Sequence, residues 1–249
     1  MSFANRELFI GTSGWNYKAW KNDFFQGVVQ KKWLEHYSSK FNAVEVNATF
    51  YRLMQENTLQ GWKERTPRDF YFAVKGSRYT SHTKKLKDSE ESIQKQHDNL
   101  SILQDKIKAV LWQLPGSMQK DTERLRNFLQ ALHKVWPENR QVLEFRHTSW
   151  FDSEVAQLLE EFNCGNCISD AADWPMWDQA SSDLAYVRLH GNRETYVSSY
   201  TEEELQQWAD RIQDWLEQGI GVHVYFDNTD GVAAPNNALR LKELLTFNY

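Results

Sequence analysis

The chain has 249 residues, of which 41% are apolar and 25% charged; this is the balance of a globular domain, and no apolar run approaches the roughly eighteen residues that a membrane span needs. A net charge of -5 excludes broad wrapping of nucleic acid by a basic surface but leaves a local basic cleft open. The N-terminal "MSFANRELFIG" has no apolar stretch ahead of a cleavage site, so a soluble, cytoplasmic protein without a membrane contact is expected.

Short β-branched or aromatic runs that end in polar residues or Gly occur eight times: "LFIG" (8–11), "AVEV" (43–46), "FYFAV" (70–74), "AVLWQL" (109–114), "QVLEF" (141–145), "CIS" (167–169), "AYVRL" (185–189) and "VHVYF" (222–226). Helical stripes separate most of them. Ile93, Leu100, Leu103 and Ile107 form one; Leu125, Phe128, Leu129 and Leu132 a second; Val155, Leu158, Leu159 and Phe162 a third; Leu205, Trp208, Ile212 and Trp215 a fourth. Between the sixth and seventh strands lies "DAADWPMWDQASSDL", where Pro175 argues against a full helix. The alternation predicts an α/β fold, a (β/α)8 TIM-like barrel forming one domain over 1–249, with an irregular connection in place of a helix after strand six. Neither G-x-G-x-x-G nor a P-loop follows any strand, which disfavours a nucleotide-binding open sheet.

In a barrel, alternate side chains face the interior and the surrounding helices. If Val44 and Val46 face the helices, Glu45 and Asn47 face inward; the same parity turns Ala73 and Lys75, Leu111 and Gln113, Glu144 and Arg146, Arg188 and His190, and Tyr225 and Asp227 inward. Asp170 ends the sixth strand. The polar members gather at the C-terminal strand ends, where this architecture builds its sites. Glu45, Glu144, Asp170 and Asp227 nearly balance Lys75, Arg146 and Arg188, so the same residues also suit a closed ion-pair network.

Cys164 and Cys167 form a "CGNC" unit that follows a helical segment and enters a strand. A redox pair would have the reverse context, and zinc would need a second ligand pair, so both cysteines read as structural.

The segments "GTSGWNYKAW", "FNAVEVNATFY", "FYFAVKGSRYTSH", "VLWQLPGS", "LEFRHTSW", "YVRLHG" and "VYFDNTDGVAAPNNA" run from Gly11 to Ala238. Together they resemble the YecE-like family, a domain of unknown function. The resemblance implies a TIM-like barrel, no particular reaction, and no catalytic residues to carry over. It places Glu45, Asn47, Lys75, Arg78, Glu144, Arg146, His147, Arg188, His190 and Asn228 in shared segments.

Arg146, Arg188, Arg78 and Lys75 on one rim suit an anionic group such as phosphate, with backbone amides of "GTSG" and "GS" as further donors. The loop "KGSRYTSHTKKLK" either extends that field or is a solvated face. Glu144 and Asp170 are candidate acids or bases, with His147 and His190 as candidate proton shuttles. Glu45, Asn47, Asp227, Asn228, Trp15 and Trp150 join the candidate substrate-binding set. Carboxylates and His on separate strands leave a divalent metal open, although no H-E-x-x-H or Ca²⁺-loop motif is present. Trp20, Phe50, Tyr51, Tyr79, Trp174 and Trp177 also follow strands; stacking on a base or sugar is one use, and covering the barrel is the other.

Three functions fit. One is a hydrolase or lyase acting on a small or oligomeric phosphate-bearing substrate, nucleic acid included. The second is a carbohydrate-active enzyme using paired carboxylates, and the third a non-catalytic small-ligand binding protein. Oligomeric state is not legible, because Trp208 and Trp215 fit helix packing as well as an interface.

Overall fold

The computed structural model describes residues 7–180 and 183–247. Each predicted strand is present: β1 (Leu8–Thr12), β2 (Ala43–Val46), β3 (Tyr71–Lys75), β4 (Ile107–Gln113), β5 (Arg140–Glu144), β6 (Gly165–Ala171), β7 (Leu184–Gly191) and β8 (Gly221–Phe226). They pair in parallel in the order β1-β8-β7-β6-β5-β4-β3-β2, which is a nearly closed TIM-like barrel.

The closing seam between β1 and β2 is held largely by side chains. Ser13 bridges Glu45, and the Gly14 amide donates to the Glu45 carbonyl at 2.8 Å. Below that, the Tyr37 hydroxyl accepts from the Thr12 amide at 2.8 Å and donates to the Ala43 carbonyl at 3.2 Å. Asn42 accepts from the Ile10 amide at 3.1 Å and donates to the Leu8 carbonyl at 2.7 Å. Gly11 is required here, since a Cβ would run into the Ala43 carbonyl oxygen.

The helices are α1 (Trp33–Ser38), α2 (Ala48–Tyr51), α3 (Glu56–Glu64), α4 (Glu90–Leu100), α5 (Thr122–Val135), α6 (Ser153–Glu161), α7 (Glu202–Glu217) and α8 (Ala233–Phe247). Among the described residues none lies between β6 and β7. Three predicted stripes are the buried faces of α5, α6 and α7, except that Phe162 of the second lies just past α6 as its C-cap and is half-buried. Asp121 caps α5 by accepting from the Arg124 amide, and a Thr201–Glu204 capping box starts α7. The remaining stripe needs correction. Helix α4 ends at Leu100, a 3-10 turn spans Ser101–Lys106, and Ile107 opens β4, where it pairs with Phe72. An apolar residue at helical spacing carries no mark that distinguishes the last helical turn from the next strand.

Parity sorts the core into two clusters. Val44, Val46, Trp112, Leu143, Phe145 and Phe226 pack with the helices, whereas Phe9, Ala73, Leu111, Val142, Tyr186 and Tyr225 fill the barrel. Cys164 belongs to the outer cluster and Cys167 to the inner; burial raises both thiol pKa values, as suits packing residues rather than a reactive pair. No described helix is long and apolar enough to cross a membrane.

Candidate anion site at the barrel mouth

Above the apolar filling, Arg188 of β7 stands fully buried and binds three carboxylates from three other strand ends. Its Nε donates to both Glu45 oxygens at 3.1 and 3.0 Å, and Nη2 donates to Glu45 Oε1 at 2.7 Å. Nη1 donates to Glu144 Oε2 at 2.9 Å, and Nη2 donates to Asp227 Oδ2 at 2.9 Å. Ser13 and Tyr186 hydroxyls complete Glu45 at 2.7 and 2.8 Å, while Ser169 donates to Glu144 Oε1 at 3.2 Å. A buried charge needs this degree of compensation, because an unpaired one costs about several kcal/mol.

The network fixes protonation. Burial alone would raise the Glu144 pKa, but Arg146 and Arg188 prevail and hold it far below the ordinary carboxylate range. The same opposition, with Arg188 prevailing, lowers the Asp227 pKa. His190 is held neutral by burial and by Arg188, with Asp227 pulling the other way. Arg188 Nη1 donates to His190 Nε2 at 3.0 Å, leaving the proton on Nδ1, which faces Asp227 Oδ2 at 3.0 Å without the alignment of a proper hydrogen bond. Glu144 and Asp227 are thus both held ionised, which weighs against either serving as the protonated acid of a glycoside-hydrolase pair. Among the described residues no group of three or more His, Cys, Asp or Glu is disposed to hold a metal ion; a guanidinium occupies the point where the carboxylates converge.

Two further cations, Arg146 and Lys75, adjoin this floor with open donors, and a third, Arg78, lies at the rim. Arg146 gives only Nε to Glu144 Oε1, at 2.8 Å, and its guanidinium carbon lies 3.8 Å from the centre of the Trp174 ring. Lys75 is buried, and its Nζ sits 4.7 Å over the Phe50 ring. Burial, reinforced by Arg188, lowers its pKa to about 8. Arg78, beyond Gly76 in the loop after β3, forms no ion pair among the described residues; Gly76 lets that loop pass where a Cβ would strike the Trp112 ring. Burial first, then Lys75, Arg78 and Arg146, push the His82 imidazole down to about 4, so these cations converge on one field.

A cleft of about 570 Å³ extends from the mouth, sharing Phe50 and Arg78 with it. Arg52, Lys84 and Lys95 line it with exposed Tyr51 and Tyr79, against one acid, Glu91. A larger cleft of about 990 Å³ opens near the N-terminal ends of β4 and β5, and several of its charges are paired, as in Lys63–Asp105 and Lys108–Glu7. The C-terminal mouth, where donors unpaired among the described residues converge, is the candidate site, since this architecture commonly carries its chemistry there.

The structure brings together Glu45, Lys75, Glu144, Arg146, Arg188, His190 and Asp227, with Arg78 at the rim. Other candidates lie elsewhere. Asp170 turns outward, accepting from the Tyr200 hydroxyl at 3.0 Å, because Cys167 and Ser169 take the inward parity of β6. His147 caps a 3-10 turn by accepting from the Ser149 amide at 3.1 Å. Trp150 is buried beside Phe145 and donates to the Met118 carbonyl, and Trp15 packs edge-on to Trp62. Asn228 ties the β8 end to Asn237 and the Ser198 carbonyl. Asn47 opens α2, with its amide oxygen buried and unpartnered. The turn amides are not open either: Ser13 donates to the Phe226 carbonyl, Gly14 to Glu45, Gly76 to Leu111 and Ser77 to Gln96.

Sequence reasoning missed Ser13, Ser169, Tyr186, His82 and Tyr196 as site members. Tyr186 and Ser169 share the inward parity of Arg188 and Cys167 on their strands, but carry no charge that would single them out. Tyr196 holds a left-handed backbone (φ 69°) that a non-glycine residue seldom adopts; its amide donates to the His190 carbonyl at 2.6 Å and its ring packs 5.6 Å from His190.

Comparison with known proteins agrees with this architecture. The family model described as "Protein of unknown function DUF72" matches residues 9–249. The UPF0759 protein YunF of Bacillus subtilis is 24% identical, covering 97% of this chain and 96% of its own. The UPF0759 protein YecE of Escherichia coli K12 is 28% identical over 58% of this chain and 50% of its own. The crystal structure of a DUF72 family protein from Thermotoga maritima superposes with a TM-score of 0.86 at 26% identity, covering 96% of this chain and 99% of that one. One from Enterococcus faecalis gives 0.84 at 20% identity, covering 97% and 96%. With a family model spanning the barrel from β1 onward, the chain belongs to the DUF72 family.

Proposed function

We propose that the barrel binds a phosphate-bearing substrate at its C-terminal mouth and acts on it as a hydrolase or lyase. One observation carries this reading: Arg146 and Lys75 adjoin a floor whose carboxylates are already bound to Arg188, Arg78 lies at the rim, and all three retain donors without a protein acceptor among the described residues. Arg146 is also pre-oriented by Glu144 and the Trp174 ring, so little side-chain freedom is lost when its two terminal nitrogens meet an anion. The rim cleft, with Tyr51, Tyr79 and further cations, gives room for an extended substrate, a nucleic-acid strand included.

Near neutral pH the group at the mouth whose proton moves most readily is Lys75, because Glu144 and Asp227 stay ionised and His190 stays neutral. Calorimetric titration with inorganic phosphate tests the binding half. Arg146→Ala is expected to weaken affinity by about 10-fold or more, the worth of a charge-assisted hydrogen bond, and to flatten its salt dependence. Unchanged affinity and salt dependence would refute the reading, whereas binding with no turnover in a phosphoester screen would leave a binding protein.

A further inference from the structure

Lys75 differs from the other cations of the mouth. It is 8% exposed at the end of β3, and among the described residues its Nζ has no hydrogen bond and no carboxylate within 4.0 Å. Its close neighbour is an aromatic face, Phe50, which is itself held edge-on by His82 at 5.1 Å. A lysine placed only to hold phosphate has no need of such cover, and Arg146 already supplies two free nitrogens. Burying an ammonium without a counter-ion is costly, and a cost of that kind persists where the neutral amine is wanted.

We propose that Lys75 is a nucleophile that forms an imine with the carbonyl carbon of a phosphate-bearing aldehyde or ketone, whose phosphate is held by Arg146 and Arg78. This rests on the anion reading above and narrows hydrolase or lyase to lyase. The Nζ lone pair adds to the carbonyl carbon and the C=O π pair moves to oxygen, which takes a proton as Nζ gives one up. Protonated at its hydroxyl by solvent, the carbinolamine expels water, leaving a protonated C=N bond. That cation accepts the electron pair of the Cα–Cβ bond as it breaks, while the hydroxyl on Cβ gives its proton to solvent and the departing fragment leaves as an aldehyde or ketone; protonation of the resulting enamine at Cα and re-addition of water release the second carbonyl product and regenerate the amine. Glu144, Glu45 and Asp227, whose fields favour positive charge at Nζ, stabilise the iminium once it forms.

The test uses the full chain with one equivalent of glyceraldehyde 3-phosphate and sodium cyanoborohydride at pH 7, followed by peptide mass mapping. Exposed Lys85 and Lys87 serve as controls within the same molecule. With its pKa near 8 against 10.5 for an ordinary lysine, Lys75 holds roughly three hundredfold more neutral amine at pH 7, so its labelling should be at least about tenfold faster than theirs. Labelling of Lys75 no faster than of Lys85 would overturn the proposal, while phosphate titration of the same sample still decides the anion reading. In a second arm, unphosphorylated glyceraldehyde should label Lys75 several-fold more slowly; equal labelling would uphold the imine and overturn the assignment of a phosphate-bearing substrate.

Discussion

Arg188 and Glu45 form a fork in which Nε and Nη2 of one residue meet both oxygens of the other at 2.7 to 3.1 Å, with both side chains fully buried. Because Glu45 lies on β2 and Arg188 on β7, with β1 and β8 between them, the pair ties the barrel together across its closing seam. Replacing Arg188 with Met leaves three carboxylates facing one another without their shared counter-ion. The expected loss is about 3–5 kcal/mol or outright unfolding, read from urea denaturation. Adding Glu45→Gln to Arg188→Met should recover part of it; a variant as stable as the parent would show that the pair contributes nothing.

Lys75 should reduce stability near neutrality. Its pKa falls from 10.5 when unfolded to about 8 when folded, so between those values the unfolded chain binds the proton and the folded one releases it. Stability from this group therefore rises with pH across that window. Lys75→Met is expected to raise stability at pH 7 by about 1–3 kcal/mol, with the gap to the parent closing by about pH 10.5. A gap that stays constant from pH 7 to 10.5 would contradict the account of this lysine.

Glu144 and Asp227 act in the opposite direction. Both are lowered from ordinary values of 4.5 and 3.8, so their contribution is complete above those values and is lost as pH falls through them toward the folded pKa. The urea midpoint should drop steeply below about pH 4.5, and Glu144→Gln should show a shallower drop from a lower starting stability. Parallel acid profiles for parent and variant would remove Glu144 from the network.

At the seam, Tyr37→Phe deletes the hydroxyl that the Thr12 amide donates to and that donates to Ala43. The loss should be about 1–3 kcal/mol, since two buried backbone groups lose a partner. Hydrogen exchange should quicken at the Thr12 amide while the β7–β8 ladder stays protected. Uniform exchange across both ladders would show that the seam is not a distinct weak point.

Much of this was legible from alternation. Glu144 and Arg146 flank Phe145, and the parity that sends Phe145 to the helices sends the charged pair inward; the same held for Glu45 and Arg188. Asp170 shows the limit. Its charge invited an inward placement, yet strand parity gives that direction to Ser169, and Asp170 satisfies itself on Tyr200 of the outer layer. Trp174 reaches Arg146 from an irregular connection whose path no periodicity describes. Which carboxylate meets which cation depends on the stagger between strands far apart in the chain, and this explains why Arg188 emerged as the hub only in three dimensions.

The proposed function requires that the open donors of the mouth take up an anion. Crystals grown with phosphate test it most directly. Density for a phosphate within hydrogen-bonding distance of the Arg146 terminal nitrogens, bordered by Lys75 and Arg78 and lost in Arg146→Ala crystals, is the expected result. A vacant mouth at phosphate concentrations that saturate binding in solution, or phosphate seated only elsewhere, would contradict it.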